Sequence, residues 1–191
     1  MNVTVHRLVR LWERTTRAER EAGASWYDAA HAFALESSTA HSLPLTRVVG
    51  IVAALSPRCQ WDLNRYATTA LLWGAPRVST ITRAPWTKAL AIHAGRWPGA
   101  TAFPLRTCPK TNSFYHNILA PSDPRFVTID RHAARIVGIG TDHRFDYWSV
   151  AQSYIEAARY ANVRPNVFQA TLWLVQRNGG QMELELKRRQ P

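Results

Sequence analysis

Cysteine is scarce in this sequence, and long apolar runs are absent from it. Its two cysteines, Cys59 and Cys108, can form neither a disulfide framework nor a four-thiolate metal site. No stretch approaches about 18 consecutive apolar residues, so no membrane-spanning helix is expected. Residues 1–20 carry Arg and Glu throughout and lack the apolar core of a signal peptide. These absences predict a cytoplasmic protein with reduced thiols, and they exclude cysteine-ligated zinc and iron–sulfur sites built by one chain.

Acidic residues are few as well, because 13 Asp and Glu stand against 24 Lys and Arg, for a net charge of +11. Such a surplus is typical of proteins that bind a polyanion. Arg greatly outnumbers Lys, and a guanidinium can grip a phosphate through two parallel hydrogen bonds. The 8 tryptophans could stack on bases. The composition favours nucleic-acid binding, although a GC-rich genome alone would raise Arg, Ala and Trp together.

Apolar residues recur at helical spacing along most of the chain. Helices are predicted over residues 5–12, from Ser25 to Ala34, and over 45–56, 60–73, 86–94, 109–119, 130–138, 147–160 and 165–178. The glycines at 179–180 are expected to close the last helix, and the tail MELELKRR reads as an edge strand or a solvated helix turn. We find no repeat, low-complexity segment or linker. Residues 1–191 are therefore predicted to form one all-α domain, with two helical lobes and a cleft between them.

The sharpest motif is CPKTNSFYHNIL followed by VTIDRHAARI. It places Lys110 at the start of one helix and Asp130 at the start of another. A helix N-terminus attracts anions, because its free N–H groups and its dipole point outward. If the two helix starts converge on one cleft, the amine and the carboxylate can serve as nucleophile and base.

These segments resemble the helix-hairpin-helix DNA glycosylases. PLRTCPKTN is similar to their hairpin, which typically reads L-P-G-V-G-x-K-T-A, and TIDRHAARI is similar to their V-D-x-H segment. The resemblance puts Lys110 on the nucleophilic lysine of the bifunctional members and Asp130 on the essential aspartate, followed by His132 and Arg135. The hairpin element would span about residues 103–119. It is degenerate, because residues 105–108 replace both glycines.

AALSPRCQWDLN resembles the early helix pair of the same enzymes, whose turn inserts a polar side chain into DNA. By this resemblance Arg58 or Gln60 enters the duplex, and an aromatic residue stacks on the extruded base or fills the gap. The aromatic candidates are Trp61, Tyr115 and Trp148. The residues expected to contact DNA are Arg58, Gln60, Trp61, Asn64, Thr111, Tyr115, Arg131 and His132.

The implied activity is cleavage of the N-glycosidic bond of a modified or damaged base, flipped out of double-stranded DNA, with or without lyase cleavage of the strand. The protein would act as a monomer without cofactor. With the late QATLW, the motifs are also similar to small glycosylase-like proteins of actinobacterial bacteriophages, which places the chain in a host cytoplasm. The alternatives are an enzyme acting on a hypermodified thymidine nucleotide and a catalytically silent DNA-binding module.

Several of these residues have simpler structural explanations. Asp130 suits the N-cap of its helix, Lys110 could only contact a phosphate, His132 could serve packing, and Asn64 could hold a loop. The sequence also offers a rival set of metal-binding side chains with irregular spacing. That set is His116, Asp130, His132, Asp142, His143 and Asp146. It lacks an H-x-x-x-H or H-E-x-x-H pair, so no metal site is predicted.

Overall fold

The computed structural model describes residues 3–97, 102–139 and 145–189, with side chains up to Arg177. These residues form nine helices and no strand, which confirms the all-α prediction. The helices are α1 (Val3–Glu13), α2 (Arg17–Ala40), α3 (Leu45–Leu55), α4 (Trp61–Leu72), α5 (Arg83–His93), α6 (Pro109–Leu119), α7 (Arg131–Ile136), α8 (Tyr147–Tyr160) and α9 (Pro165–Arg189). Across the described part of the chain, none of them is both long and apolar enough to cross a membrane.

The chain divides into two compact units, and each is described by itself. Unit 1 combines the residues up to Tyr27 with those from Ser122 onward, and unit 2 comprises Asp28–Pro121. Two helical lobes were the expectation from the sequence. The cleft expected between them stays a prediction.

Unit 1 is built around α1, α8 and α9, whose apolar faces meet in one core. Trp12 of α1 stacks on Phe168 of α9 with ring centroids 4.9 Å apart, and Tyr154 of α8 meets the same phenyl ring edge-on. The first part of α2 approaches α9 closely: a Cβ added to Gly23 would lie 1.9 Å from the hydroxyl oxygen of Thr171. Only glycine fits there, so this contact depends on the absence of a side chain.

Unit 2 is centred on α3, whose sequence LTRVVGIVAAL is apolar on nearly every side. It packs against α4, α5 and α6, and its residues from Val48 to Leu55 are buried. A helix with apolar residues all round is stable only when neighbours cover most of its surface. The burial that the sequence predicted for this helix is confirmed.

The start of α2 corrects the prediction of a helix capped by Ser25. The helix begins at Arg17, and Ser25 lies inside it, donating to the Ala22 carbonyl. The cap is Thr16, whose hydroxyl oxygen accepts from the Glu19 N–H at 3.2 Å, while the Glu19 carboxylate accepts from the Thr16 N–H at 2.7 Å. This reciprocal pair is a capping box, a local signal that outweighs an isolated serine.

The predictions for α3, α4, α6 and α8 agree with the structure to within a residue or two. The last helix does not end at Gly179: α9 continues through both glycines to Arg189 and includes the tail that could have been a strand. Glycine inside a helix costs only about 1 kcal/mol relative to alanine, so it weakens the helix without ending it. The helix expected at 86–94 begins earlier, at Arg83.

Candidate functional site

Asp130 lies at the entry to α7, in unit 1, with an extended backbone (φ −106°, ψ −175°). The buried segment that leads to it is held by Tyr147 of α8. The phenol of Tyr147 donates to the Val127 carbonyl at 2.8 Å and accepts from the Ile129 N–H at 3.3 Å. The phenol of Tyr147 thus satisfies two backbone groups of a non-helical segment. Because these bonds fix residues 127–129, they also fix the position of Asp130, which follows directly.

The Asp130 carboxylate accepts a hydrogen bond on each oxygen. Oδ1 accepts from the Ala133 N–H at 2.8 Å, which makes Asp130 the N-cap of α7, as the simpler explanation from the sequence predicted. Oδ2 accepts from the indole Nε1–H of Trp173, on α9, at 3.2 Å. Capping requires only the first bond. The carboxylate is half-buried, so it is held in one orientation and still reaches the surface.

Tyr154 supports this arrangement from within the core. Its hydroxyl donates to the carbonyl of Ala133 at 3.0 Å, which ties α8 to the first turn of α7. Burial, and secondarily the negative charge of Asp130, raise the pKa of Tyr154 well above its ordinary value. The phenol therefore stays protonated and keeps donating its hydrogen bond at physiological pH.

The solvent-facing side of α7 is basic. Arg131, His132 and Arg135 are exposed, while the alanines and Ile136 between them are buried. We call these three residues the α7 basic face. The guanidinium of Arg7 lies near the end of this helix, because its Nη1 is 3.1 Å from the position a Cβ on Gly138 would take. A carboxylate thus stands beside a set of cations, an arrangement that suits an anionic ligand.

The α6 region, in unit 2, carries Lys110 and Thr111 at the second and third positions of the helix, both half-buried. The preceding turn is shaped by Asn112, whose side-chain amide donates to the Phe103 carbonyl at 2.8 Å, and by the Pro104 carbonyl, which accepts two backbone N–H groups. The assignment of residues 103–119 to a degenerate helix-hairpin-helix stays a prediction. So does the convergence of Lys110 with Asp130, because the two residues belong to different units.

The turn between α3 and α4 presents the predicted DNA-inserting residues to solvent. Arg58 is exposed and has a left-handed backbone (φ +57°), an uncommon conformation for a non-glycine residue. Gln60 is exposed at the N-cap position of α4. Trp61 is half-buried and meets Phe33 edge-on at 5.9 Å. This turn therefore presents one cation and one amide, with Trp61 partly covered behind them.

Two of the residues predicted to contact DNA, Asn64 and Tyr115, are buried in the structure. Asn64 is 1% exposed: its amide donates to the Val52 carbonyl at 3.0 Å, and its side-chain oxygen accepts from Thr68, so it joins α4 to α3. Tyr115 is 2% exposed and packs against Phe103, and burial raises its pKa. A ring without exposed surface offers no face to a base. Both side chains hold unit 2 together.

Trp148, the remaining aromatic candidate, is 50% exposed at the start of α8, which is capped by the carboxylate of Asp146. The rival metal set finds no support among the described side chains, which contain no group of three or more histidine, cysteine or acidic residues able to hold an ion. Two of its members, Asp142 and His143, lie outside the described residues.

Sequence reasoning missed two side chains around Asp130. Tyr147 hydrogen-bonds to the segment that precedes Asp130, and Trp173 hydrogen-bonds to its carboxylate. The motif QATLW, which ends on Trp173, was the available signal, but no periodicity connects a tryptophan to a carboxylate 43 residues earlier. Trp173 is placed in turn by its neighbours. It meets Trp26 edge-on at 6.4 Å, and the guanidinium of Arg177 lies 5.2 Å from its ring centroid.

Fold and site define an all-α protein of two helical units, in which a helix-capping carboxylate lies beside an exposed basic helix face. The chain belongs to a family of unknown function, DUF7178, whose profile matches residues 1–180. No curated protein and no solved structure matches it.

Proposed function

We propose that this protein is a DNA glycosylase that cleaves the N-glycosidic bond of a modified or damaged base, with Asp130 as its essential carboxylate. The observation that carries the proposal is the geometry of that side chain. Both of its oxygens are oriented by hydrogen bonds, and it stands half-buried at the edge of the α7 basic face. The net charge of +11 supports a polyanionic substrate over a mononucleotide, which needs only a local cationic pocket.

The chemistry follows from the charge that develops during cleavage. As the bond from C1′ to the base breaks, its electron pair leaves with the base, and the sugar acquires oxocarbenium character. A carboxylate held near C1′ stabilises that positive charge, and orientation in advance avoids reorganisation during the reaction. In unit 1 the α7 basic face supplies the cations for flanking phosphates, and insertion of Arg58 or Gln60 of unit 2 into the duplex is a separate prediction from the resemblance.

Lys110 decides between two outcomes. If water attacks C1′, the product is an abasic site. If the amine of Lys110 attacks, a Schiff base forms after the sugar ring opens, and the strand is then cleaved. We assign Lys110 as this nucleophile, on the resemblance of PKT to the bifunctional hairpin and on its position in the first turn of α6.

The deciding experiment incubates the protein with DNA that carries hypermodified or damaged bases, with ordinary DNA and with free nucleotides, and identifies released bases by mass spectrometry. Release from modified DNA alone supports the proposal. Asp130→Asn should lower it by about 100-fold or more, the scale of a lost electrostatic or acid–base group. Asparagine is an equally good N-cap, so α7 should persist. Asp146→Asn is the matched control, since Asp146 also caps a helix of unit 1 and should leave release unchanged.

A DNA-binding module without catalysis is the second candidate, and one observation favours it. Both oxygens of Asp130 already accept hydrogen bonds from the protein, so capping and the indole bond account for this residue without chemistry. Salt-dependent DNA binding with no release from any substrate would establish this candidate. Release of product from free nucleotides alone would instead assign the nucleotide enzyme.

A further inference from the structure

The bond between Trp173 and Asp130 goes beyond what the helix cap requires. Oδ1 alone satisfies the free N–H of Ala133, at 2.8 Å. The second bond comes from α9 and spans 43 residues of sequence, so it joins two helices through the one carboxylate that the proposed reaction uses. A cap that served α7 alone would not need this partner, because asparagine or serine caps as well as aspartate.

The indole is itself held from two sides. Trp26 of α2 meets its ring edge-on at 6.4 Å with an interplanar angle of 65°, and the Arg177 guanidinium lies 5.2 Å from its centroid, one helical turn further along α9. Edge-to-face pairs and cation–π contacts restrict the orientation of a ring. The Nε1–H therefore points at Oδ2 from a ring that has little freedom to rotate away.

We infer that Trp173 is a positioning residue, which fixes the Asp130 carboxylate in the orientation that faces the substrate. Without the indole N–H, Oδ2 loses its donor, and the carboxylate can turn about its remaining bond to Ala133. Trp173 does not touch the reacting atoms; it acts through Asp130. The inference rests on the proposed glycosylase function and adds to it the device that orients its carboxylate.

The test is Trp173→Phe, which keeps an aromatic ring in the cluster and removes the N–H donor. Base release is measured at single-turnover and steady-state conditions, alone and combined with Asp130→Asn. We expect kcat to fall about 10-fold with KM unchanged, the scale of one hydrogen bond to a carboxylate. In the Asp130→Asn background the same substitution should cause no further loss, because two residues that act as one unit are not additive. Trp86→Phe, which removes a buried indole of unit 2 away from this cluster, is the matched control and should keep the wild-type activity.

Equal losses in both backgrounds, or no loss in either, would overturn the inference while leaving the glycosylase proposal intact. An inactive wild-type protein overturns the proposed function, and the positioning role falls with it. The bond itself is tested without an activity assay by the indole N–H resonance of Trp173, in variants that keep this tryptophan. Its hydrogen exchange should accelerate in Asp130→Asn and remain unchanged in Asp146→Asn; unchanged exchange in both would show that the bond does not hold the ring.

Discussion

The helix starts that carry Asp130 and Lys110 are built differently. At α7 the aspartate side chain caps the helix and is held again from α9. At α6 the N-cap residue, Cys108, makes no side-chain cap, and Pro109 follows it. A carboxylate complements the positive end of a helix dipole, whereas an ammonium does not. Capping and the helix dipole therefore explain an aspartate at the start of α7. Neither explains a lysine at the start of α6.

The largest expected difference between the two helix starts is the ability of Lys110 to form a covalent bond to DNA. With borohydride, a Schiff base to DNA should be trapped by the wild-type protein and lost completely in Lys110→Ala. The lysines of the sequence are Lys88, Lys110 and Lys187, so Lys187→Ala serves as the control and should trap normally. Trapping is followed as a shifted band on a denaturing gel. Base release by Lys110→Ala without trapping would show that the enzyme is monofunctional and that Lys110 only contacts DNA.

The packing inside each unit is compared by replacing one helical glycine with alanine, which adds a methyl group. Gly23→Ala in unit 1 would place a Cβ 2.7 Å from the backbone of Thr171, which cannot move aside, and should cost about 3 kcal/mol in the free energy of unfolding. Gly50→Ala in unit 2 would meet only the Ile92 side chain at 3.1 Å, and the better helix propensity of alanine offsets that crowding. Urea unfolding measures both. Equal losses would contradict the difference in packing.

DNA affinity should distinguish the α7 basic face from the α3–α4 turn. Arg131→Ala combined with Arg135→Ala removes two exposed cations, so affinity should fall roughly 10-fold and the salt dependence should flatten by about 0.9 per lost phosphate contact. Gln60→Ala carries no charge change and should weaken binding without changing the slope. Arg17→Ala is the control, because Arg17 is paired with Glu21 on α2. Binding titrations over a range of salt concentrations provide the slopes, and identical slopes for all variants would remove the basic face from the interface.

Capping and charge at Asp130 can be separated by a pair of substitutions. Asp130→Ala loses the bond to the Ala133 N–H and should lower the free energy of unfolding by about 1 kcal/mol, whereas Asp130→Asn keeps it. Both variants should release base about 100-fold more slowly than the wild type. If Asp130→Ala is as stable as the wild type, the cap contributes nothing, and the carboxylate owes its place to function alone.

The smallest effect concerns the thiol of Cys59, which lies within the turn between α3 and α4. Burial raises the pKa of Cys59, so at a given pH less thiolate is present than in a free peptide. In a Cys108→Ser background, alkylation of Cys59 should therefore be slower than that of a peptide thiol at pH 8. Its rate should also continue to increase at pH values above the ordinary pKa range of cysteine. A rate equal to that of the peptide would place Cys59 in open solvent.

The sequence by itself determined the features that depend on neighbours a few residues apart. Apolar spacing predicted α3, α4, α6 and α8, and an aspartate before an apolar helix predicted the cap of α7, because helix periodicity and capping are local interactions. The capping box of α2 was equally local, and Thr16 and Glu19 three residues apart were the signal for it.

Only the tertiary structure decided which side chains face inward and which meet across the chain. Asn64 and Tyr115 have the chemistry of DNA-contacting residues, yet packing around α3 buries both. Trp173 reaches Asp130 only because α9 folds back against α7. Burial and long-range hydrogen bonds depend on how helices pack, and helical spacing within one segment carries no information about the partner that will cover it.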